Sequence, residues 1–151
     1  MIIDYNPKYA QDFKALNIEW LETLFYVEDY DNEVLSNPDK YILDKGGKIF
    51  FSLHNNKVAG TVALMKVTDT VFELTKMAVN TNLRGLKIGQ KLMTHCLNEA
   101  KVMGLEKVIL YSNTKLENAI YIYRKFGFKE VPLEEGVAYE RANIKMEYII
   151  N

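Results

Sequence analysis

The sequence predicts an α/β fold built on a mixed, mostly antiparallel sheet, and two observations lead to this prediction. Three β-rich runs follow one another with only short polar turns between them: 48–53, 58–67 and 71–79. Such spacing is typical of antiparallel hairpins, and the Asn55-Asn56 pair tolerates the positive φ angles of a tight turn. The third run then leads through a loop into a helical pattern and a further strand at 106–112, which implies a parallel crossover.

The other elements follow from local signals. A strand is expected at 2–5, and Asn6-Pro7 opens a helix. An apolar stripe predicts that this helix packs on the core: Tyr9, Phe13, Leu16, Trp20 and Leu24. A capping box of Thr114 and Glu117 predicts the start of a later helix, which Gly127 ends. The last strands are expected at 129–131 and 139–150.

Composition limits the classes of protein that the chain can represent. Its 151 residues predict one domain, 1–151, with a core of its own. A net charge of −1 gives no argument for nucleic acid or for an anionic membrane as partner. The single cysteine excludes an internal disulfide framework and fits the cytoplasm. The first ten residues do not resemble a signal peptide, and no apolar run is long enough to span a bilayer.

The stretch 73–103 contains a candidate anion site. A strand is followed by a polar loop at 80–87 and by a helix whose apolar stripe begins at Ile88. The first turn of a helix offers unpaired N–H groups and the positive end of the helix dipole, which suit a phosphate or pyrophosphate. Gly85 and Gly89 allow close approach, and Arg84 and Lys87 add charge. The alternative is an ordinary strand–helix connection with a solvated basic loop. The spacing matches neither the dinucleotide nor the nucleoside triphosphate motif, so these ligands are not favoured.

Three segments resemble a known family. The run Arg84-Gly85-Leu86-Lys87-Ile88-Gly89 resembles the R-G-x-G-x-G loop of the GNAT superfamily of N-acetyltransferases. ELTKMAV, at 73–79, looks like the fourth strand of that family, and NAIYIYRKFGF, at 118–128, looks like its A-I-x-L-Y-x-K-x-G-F segment. The resemblance covers 58–128. Lys87 stands where the family usually has glycine, and Leu116 stands where many members have asparagine. Asn113 or Asn118 would then have to make the polar contact of that asparagine.

The resemblance implies a fold, an activity and a binding site. The fold is a GNAT-like sheet with helices on both faces, split at strands 4 and 5. The activity is transfer of an acetyl group from acetyl-coenzyme A, as co-substrate, to a primary amine by direct attack in a ternary complex. Residues in the fourth strand, the loop and the two helices would hold the coenzyme: Met77, Ala78, Val79, Arg84, Gly85, Leu86, Lys87, Ile88, Gly89, Gln90 and Asn118.

Two side chains are candidates for proton transfer. Strand alternation places Glu73 on the face opposite Leu74, and the family often has a glutamate here as general base. Tyr123 precedes Gly127 as the family's tyrosine does, which makes it the candidate acid for the departing thiolate. The alternatives are a surface glutamate and a tyrosine that only packs. Cys96 lies on the apolar stripe of its helix and is interpreted as a packing residue, and no metal site is predicted.

An acidic segment at 28–33 has two interpretations. It is either a solvated loop that leads into a short helix, or an acidic rim that attracts a cationic amine. The acceptor is a small-molecule or peptide amine that the sequence does not name, and whether the chain forms a homodimer is left open. Two rival functions remain: a non-catalytic acyl-coenzyme A sensor, and a small interaction domain that binds an anionic partner.

Overall fold

The sheet has seven strands in the order β1-β2-β3-β4-β5-β7-β6. The computed structural model describes residues 1–83 and 85–150. The strands are β1 (Ile2–Asp4), β2 (Lys48–His54), β3 (Lys57–Lys66), β4 (Val71–Val79), β5 (Lys107–Ser112), β6 (Lys129–Val131) and β7 (Ile144–Ile149). β4 and β5 run parallel, and the other neighbouring pairs run antiparallel. The sheet is therefore mixed and mostly antiparallel, as predicted.

Helices cover both faces of the sheet. They are α1 (Ala10–Leu24), α2 (Asp29–Ser36), α3 (Pro38–Tyr41), α4 (Ile88–Val102) and α5 (Glu117–Phe126). The first three pack over a core that contains Phe13, Val34 and Phe51, and the last two pack over a second core that contains Leu92 and Phe128. Among residues 1–83 and 85–150, no helix is both long and apolar enough to cross a membrane.

The start of α4 lies unusually close to the sheet because β3 has a glycine beneath it. A Cβ atom built on Gly60 would lie 2.9 Å from Cγ2 of Ile88 and 3.1 Å from Cδ1 of Leu92. Atoms at 2.9 Å would clash, so a larger residue would push the helix away. Gly60 thus fixes the first turn of α4 against β3, at the end where the candidate anion loop enters the helix.

The sheet splits between β4 and β5. Their pairing ends where Glu73 lies opposite Ile109, although β4 continues to Val79. On its other edge, β4 shifts register against β3 between Thr61 and Ala63. The shift accompanies a φ angle of 54° at Lys76, a bulge that bends the strand. The split at strands 4 and 5 is therefore confirmed, and it leaves the edge of β4 beyond Glu73 uncovered.

Two local predictions were wrong, and each failed because a side chain took a distant partner. The capping box does not form: α5 starts at Glu117, and the Thr114 hydroxyl accepts a hydrogen bond from Asn143 Nδ2 at 3.1 Å. The last strand starts at Ile144 rather than at 139. The N–H groups of Glu140 and Arg141 donate to the Glu28 carboxylate and so are not available for strand pairing.

Candidate active site

A cleft of about 280 Å³ opens where β4 and β5 part. Its walls come from α1, the two strands, the start of α5 and the segment before β7. They are formed by Asn17, Trp20, Leu21, Phe25, Leu74, Thr75, Lys76, Met77, Ala78, Val79, Leu110, Tyr111, Ser112, Asn113, Leu116, Ala119, Tyr123, Tyr139, Arg141 and Ala142. The cleft passes between the strands, so both faces of the sheet contribute to it.

Glu73 lies beside the cleft on the face covered by α1–α3. It is opposite Met65, which belongs to the core under those helices, and it is only 9% exposed. The Tyr139 hydroxyl donates a hydrogen bond to Glu73 Oε2 at 3.0 Å. Burial raises the pKa of Glu73, and the charge of Lys76 and the Tyr139 hydrogen bond offset part of that rise. A carboxylate with a raised pKa is a stronger base near neutrality.

Tyr123 reaches the cleft from the opposite face. Its ring packs on Phe128, in the core under α4 and α5, with 6.0 Å between the ring centroids. Within the described residues its hydroxyl has no hydrogen-bond partner, and burial raises its pKa. Tyr123 is therefore protonated at neutral pH and has a donor free for a group in the cleft. The packing role and the role as an acid are compatible.

The loop before α4 presents backbone N–H groups. The first α-helical bond runs from Lys91 N to Lys87 O, and no side chain of the described residues caps the helix. Gly85 has a φ angle of 92°, which glycine adopts without strain. Lys87 has a φ angle of 57° and ψ of 32° in the left-handed region, so the lysine takes the conformation that favours glycine. Arg84 lies outside the described residues.

The other predicted coenzyme-binding residues occupy two regions. Met77, Ala78 and Val79 line the cleft along the uncovered edge of β4. Leu86 is 43% exposed, whereas the Ile88 side chain is in the core, so Ile88 can reach a ligand only through its backbone. Three predicted residues remain to be placed. Gly89 and Gln90 are half-buried in the first turn of α4, and Asn118 is exposed at the start of α5, outside the cleft wall. Asn113, the other candidate for the family's asparagine, does line the cleft.

The acidic segment is not an open acidic rim. Asp31 is fully buried, and its carboxylate accepts from Lys76 Nζ at 3.1 Å and from Arg141 Nη1 at 2.7 Å. Glu28 binds the same Arg141 guanidinium at 2.8 Å. Burial alone would raise the pKa of Asp31, but the Arg141 hydrogen bonds and the Lys76 charge hold it below its usual value. The interpretation as a solvated loop is also wrong for these two residues, since only Asp29 and Glu33 are exposed.

Sequence reasoning missed four residues of the cleft: Asn17, Lys76, Tyr139 and Arg141. Asn17 had a signal, because it interrupts an apolar i, i+4 pattern between Phe13 and Leu21. Lys76 also had a signal in the sequence, because it is the lone cation within a mostly apolar strand. Tyr139 and Arg141 had none, since their partners are far away in the chain.

Comparison with known proteins identifies the family. The model of the acetyltransferase (GNAT) family matches residues 13–128. The chain belongs to the GNAT family. This match makes it an acyl-coenzyme A-dependent N-acyltransferase by class. An uncharacterised N-acetyltransferase of Bacillus subtilis is 25% identical over 105 residues, which cover 68% of this chain and 68% of that relative.

Solved structures of other GNAT proteins share the fold. An acetyltransferase of the GNAT family from Staphylococcus aureus has a TM-score of 0.89 at 23% identity, covering 100% of this chain and 99% of that one. An acetyltransferase from Salmonella typhimurium, solved with its cofactor acetyl-coenzyme A, has a TM-score of 0.78 at 18% identity, covering 100% and 94% of the two chains. At these identities the likeness establishes the fold, and the acceptor is a separate question.

Proposed function

We propose that this GNAT protein is a cytoplasmic, single-domain enzyme that transfers an acetyl group from acetyl-coenzyme A to a primary amine by direct attack in a ternary complex. One observation carries the proposal: on one face of the sheet the buried Glu73 accepts a hydrogen bond from Tyr139, which lines the gap between β4 and β5, and Tyr123 lines the same gap from the other face. A thioester in that gap would have a base on the side of the incoming amine and an acid on the side of the departing sulfur.

The residues present fit acetyl-coenzyme A. Backbone N–H groups at the start of α4 would bind its pyrophosphate, because they have no intrahelical partners. The uncovered edge of β4 from Met77 to Val79 would pair with the pantetheine arm as an added strand does. The relative from Salmonella typhimurium, which shares the fold, was solved with acetyl-coenzyme A. The coenzyme would supply the activated acetyl group.

The protein groups would then manage the protons. A primary amine arrives mostly protonated at neutral pH, so a base must remove a proton before nitrogen can attack the thioester carbon. Glu73 takes that role, directly or through water. As the carbon–nitrogen bond forms and the carbon–sulfur bond breaks, the nitrogen loses its second proton to Glu73, which has by then passed the first proton to solvent. Tyr123 protonates the leaving thiolate and recovers its proton from solvent. Backbone N–H groups of 77–79 would donate to the carbonyl oxygen as negative charge develops on it.

A covalent route through the protein is disfavoured by the position of its cysteine. Cys96 is fully buried in the core under α4, and burial raises the pKa of its thiol far above neutrality. A buried neutral thiol is a poor nucleophile and has no path to the thioester. Direct transfer in a ternary complex is therefore the simpler mechanism.

The test of turnover is release of coenzyme A thiol from acetyl-coenzyme A in the presence of a panel of amines. Glu73→Gln and Tyr123→Phe should each lower kcat by roughly ten- to a thousandfold with coenzyme affinity nearly unchanged. Tyr121→Phe is a matched control, because Tyr121 is on the same helix and 66% exposed. Glu22→Gln, on the exposed side of α1, is the control for Glu73. Wild-type rates in both test variants, with chemistry rate-limiting, would contradict the assigned roles.

The test of binding is the melting temperature as a function of acetyl-coenzyme A concentration. Arg84→Glu should reduce the ligand-induced rise strongly, whereas the same charge reversal at exposed Lys57, at the start of β3, should not. Binding without turnover of any amine would favour the acyl-coenzyme A sensor. Absence of binding at millimolar ligand would overturn the proposal.

A further inference from the structure

We infer that the amine acceptor is a small monoamine with an aromatic or similarly apolar body. This inference rests on the proposed function, since it names the class of acceptor for the same cleft. Three features carry it on the side of the cleft that holds Glu73, which we call the acceptor side. The cations in its wall are paired with carboxylates, the wall is partly aromatic, and one amide oxygen in the wall has no partner among residues 1–83 and 85–150.

Apart from the proposed base Glu73, the charged groups on the acceptor side are bound to one another in salt bridges. Two cations in the cleft wall, Lys76 and Arg141, are bound by two buried carboxylates, Asp31 and Glu28, at distances of 2.7 to 3.1 Å. Neither carboxylate is available to bind a second ammonium group of a polyamine or an aminoglycoside. Each cation already has a carboxylate partner, so its charge is compensated before an amino acid could offer a further carboxylate. Placing such an extra charge here would mean desolvating it without a partner, which is costly.

The wall beside this network is aromatic. The rings of Trp20 and Phe25 pack together with 5.7 Å between their centroids, and Tyr111 lies across the cleft on β5. Trp20, Phe25 and Tyr111 are all half-buried, so part of each surface remains for a ligand. An apolar acceptor body would bury its surface against these rings, whereas a hydrated polar chain would gain little.

The side chain of Asn17 offers a hydrogen-bond acceptor to an amine in the cleft. Asn17 is 3% exposed and lines the cleft. Its Nδ2 donates to the Phe13 carbonyl oxygen at 2.9 Å, and a carbonyl can only accept, so this contact fixes the amide orientation. Oδ1 is then left without a partner among the described residues. It is not sealed from solvent, and an acceptor N–H would satisfy it.

The size of the cleft limits the acceptor to a small molecule. Its volume of about 280 Å³ is at the lower end for small-molecule sites. Beside the cleft, Lys115 Nζ donates to the Leu24 carbonyl oxygen at 2.5 Å and lies 4.0 Å from the ring centroid of Phe25, which lines the cleft. This contact connects the end of α1 to the loop before α5. We expect a cleft of this volume to take a small amine more readily than a peptide segment.

The first experiment compares four classes of amine in the thiol-release assay. 2-Phenylethylamine, spermidine, an aminoglycoside and a lysine-containing peptide are each titrated against saturating acetyl-coenzyme A. The expected result is a kcat/KM for 2-phenylethylamine at least about tenfold above each of the others. Equal or faster turnover of spermidine, the aminoglycoside or the peptide would overturn the inference and leave the proposed function intact.

The second experiment measures binding without turnover. Trp20 is the only tryptophan of the chain and lies in the cleft wall, so quenching of its fluorescence reports occupancy of the acceptor side. 2-Phenylethylamine should change the emission saturably, and spermidine should not. Quenching without thiol release would sink the proposed function but support this subsite. No change with 2-phenylethylamine at millimolar concentration would overturn the subsite.

A pair of variants tests the two contacts. Phe25→Ala removes one ring at the end of α1 and should raise KM for 2-phenylethylamine about tenfold while changing KM for propylamine little. Asn17→Leu has a similar volume but no carbonyl and should raise KM for both amines. Circular dichroism and melting temperature check that each variant folds. If Phe25→Ala raised KM equally for 2-phenylethylamine and propylamine, the aromatic contact would be contradicted.

Discussion

The Tyr139 hydroxyl donates a hydrogen bond of 3.0 Å to Oε2 of Glu73, joining the segment before β7 to the middle of β4. This bond stabilises the carboxylate and lowers the pKa of Glu73, against the larger effect of burial. Tyr139 is itself only 5% exposed, and burial raises its own pKa well above 10, so it stays a donor at every pH relevant to activity. We expect Tyr139 to be a positioning residue that sets the pH range of the proposed base.

Tyr139→Phe should therefore move the acid limb of the pH–rate profile to higher pH. Without the hydroxyl, the pKa of Glu73 rises further, and a larger fraction of the enzyme holds a protonated, inactive carboxyl at a given pH. The plateau rate at high pH should remain within about tenfold of wild type. The profile of kcat/KM measures this, with Tyr121→Phe as control. A lower plateau with an unmoved limb would mean that Tyr139 acts only through structure.

Glu73→Gln should stabilise the fold at neutral pH. A carboxyl whose pKa is higher in the folded chain than in the unfolded chain favours folding when it is protonated. Its contribution to the free energy of unfolding is therefore present below the unfolded-state pKa of 4.5 and is lost as the pH rises through the folded-state pKa. Glutamine keeps an oxygen for Tyr139 and has no charge to bury. Each unit of pKa difference corresponds to about 1.4 kcal/mol. Denaturant unfolding at pH 4 and pH 8 checks this, since the gain should appear mainly at pH 8.

Asp31→Asn should destabilise the protein by about 3–5 kcal/mol at neutral pH, because it leaves the charges of Lys76 and Arg141 buried without their shared carboxylate. The pKa of Asp31 is lower in the folded chain than in the unfolded chain. Its contribution to the free energy of unfolding is therefore present above the unfolded-state pKa of 3.8 and is lost as the pH falls through the folded-state pKa. Urea unfolding measures the difference. Asp29→Asn, two positions away and exposed, should change stability by less than about 0.5 kcal/mol. Similar effects of the two substitutions would rule out the buried network.

Lys87→Gly should raise stability by about 1 kcal/mol or less, since the left-handed conformation at φ 57° costs lysine more than glycine. For a chain of this size that is a rise of roughly 2–4 °C in melting temperature. The backbone N–H remains, so the rise induced by acetyl-coenzyme A should persist in the variant. Thermal unfolding with and without ligand separates the two effects. A lower melting temperature of the free variant would contradict the strain at this position.

The sequence predicted what local patterns determine and missed what distant contacts determine. The hairpin at Asn55-Asn56 and the strand–loop–helix unit both follow from neighbouring residues. In contrast, Arg141 finds Asp31 across 110 positions of the chain. No periodicity in either segment encodes that pair, so the acidic segment was interpreted as solvent-facing.

The same reason explains the last strand. The run 139–150 alternates well enough to predict one continuous strand, but the Glu28 carboxylate binds the N–H groups of Glu140 and Arg141. Pairing with a side chain replaced pairing with β5 there. That loss of regular strand brings Tyr139 and Arg141 into the cleft wall, which the sequence alone could not predict. The role of the residues predicted to bind the coenzyme stays a prediction until binding is measured.

The salt-bridge network of Asp31, Lys76 and Arg141 also has a consequence for folding during synthesis. During synthesis, Asp31 and Lys76 are made long before Arg141, so in a partly synthesised chain this aspartate would have one cationic partner instead of two. Contacts between residues far apart in the chain tend to form late, because the entropic cost of closing the loop comes first. We therefore expect the acceptor side to be the last part of the cleft to form. Until the segment before β7 has been added, the growing chain lacks Tyr139 and Arg141, two residues of the cleft wall.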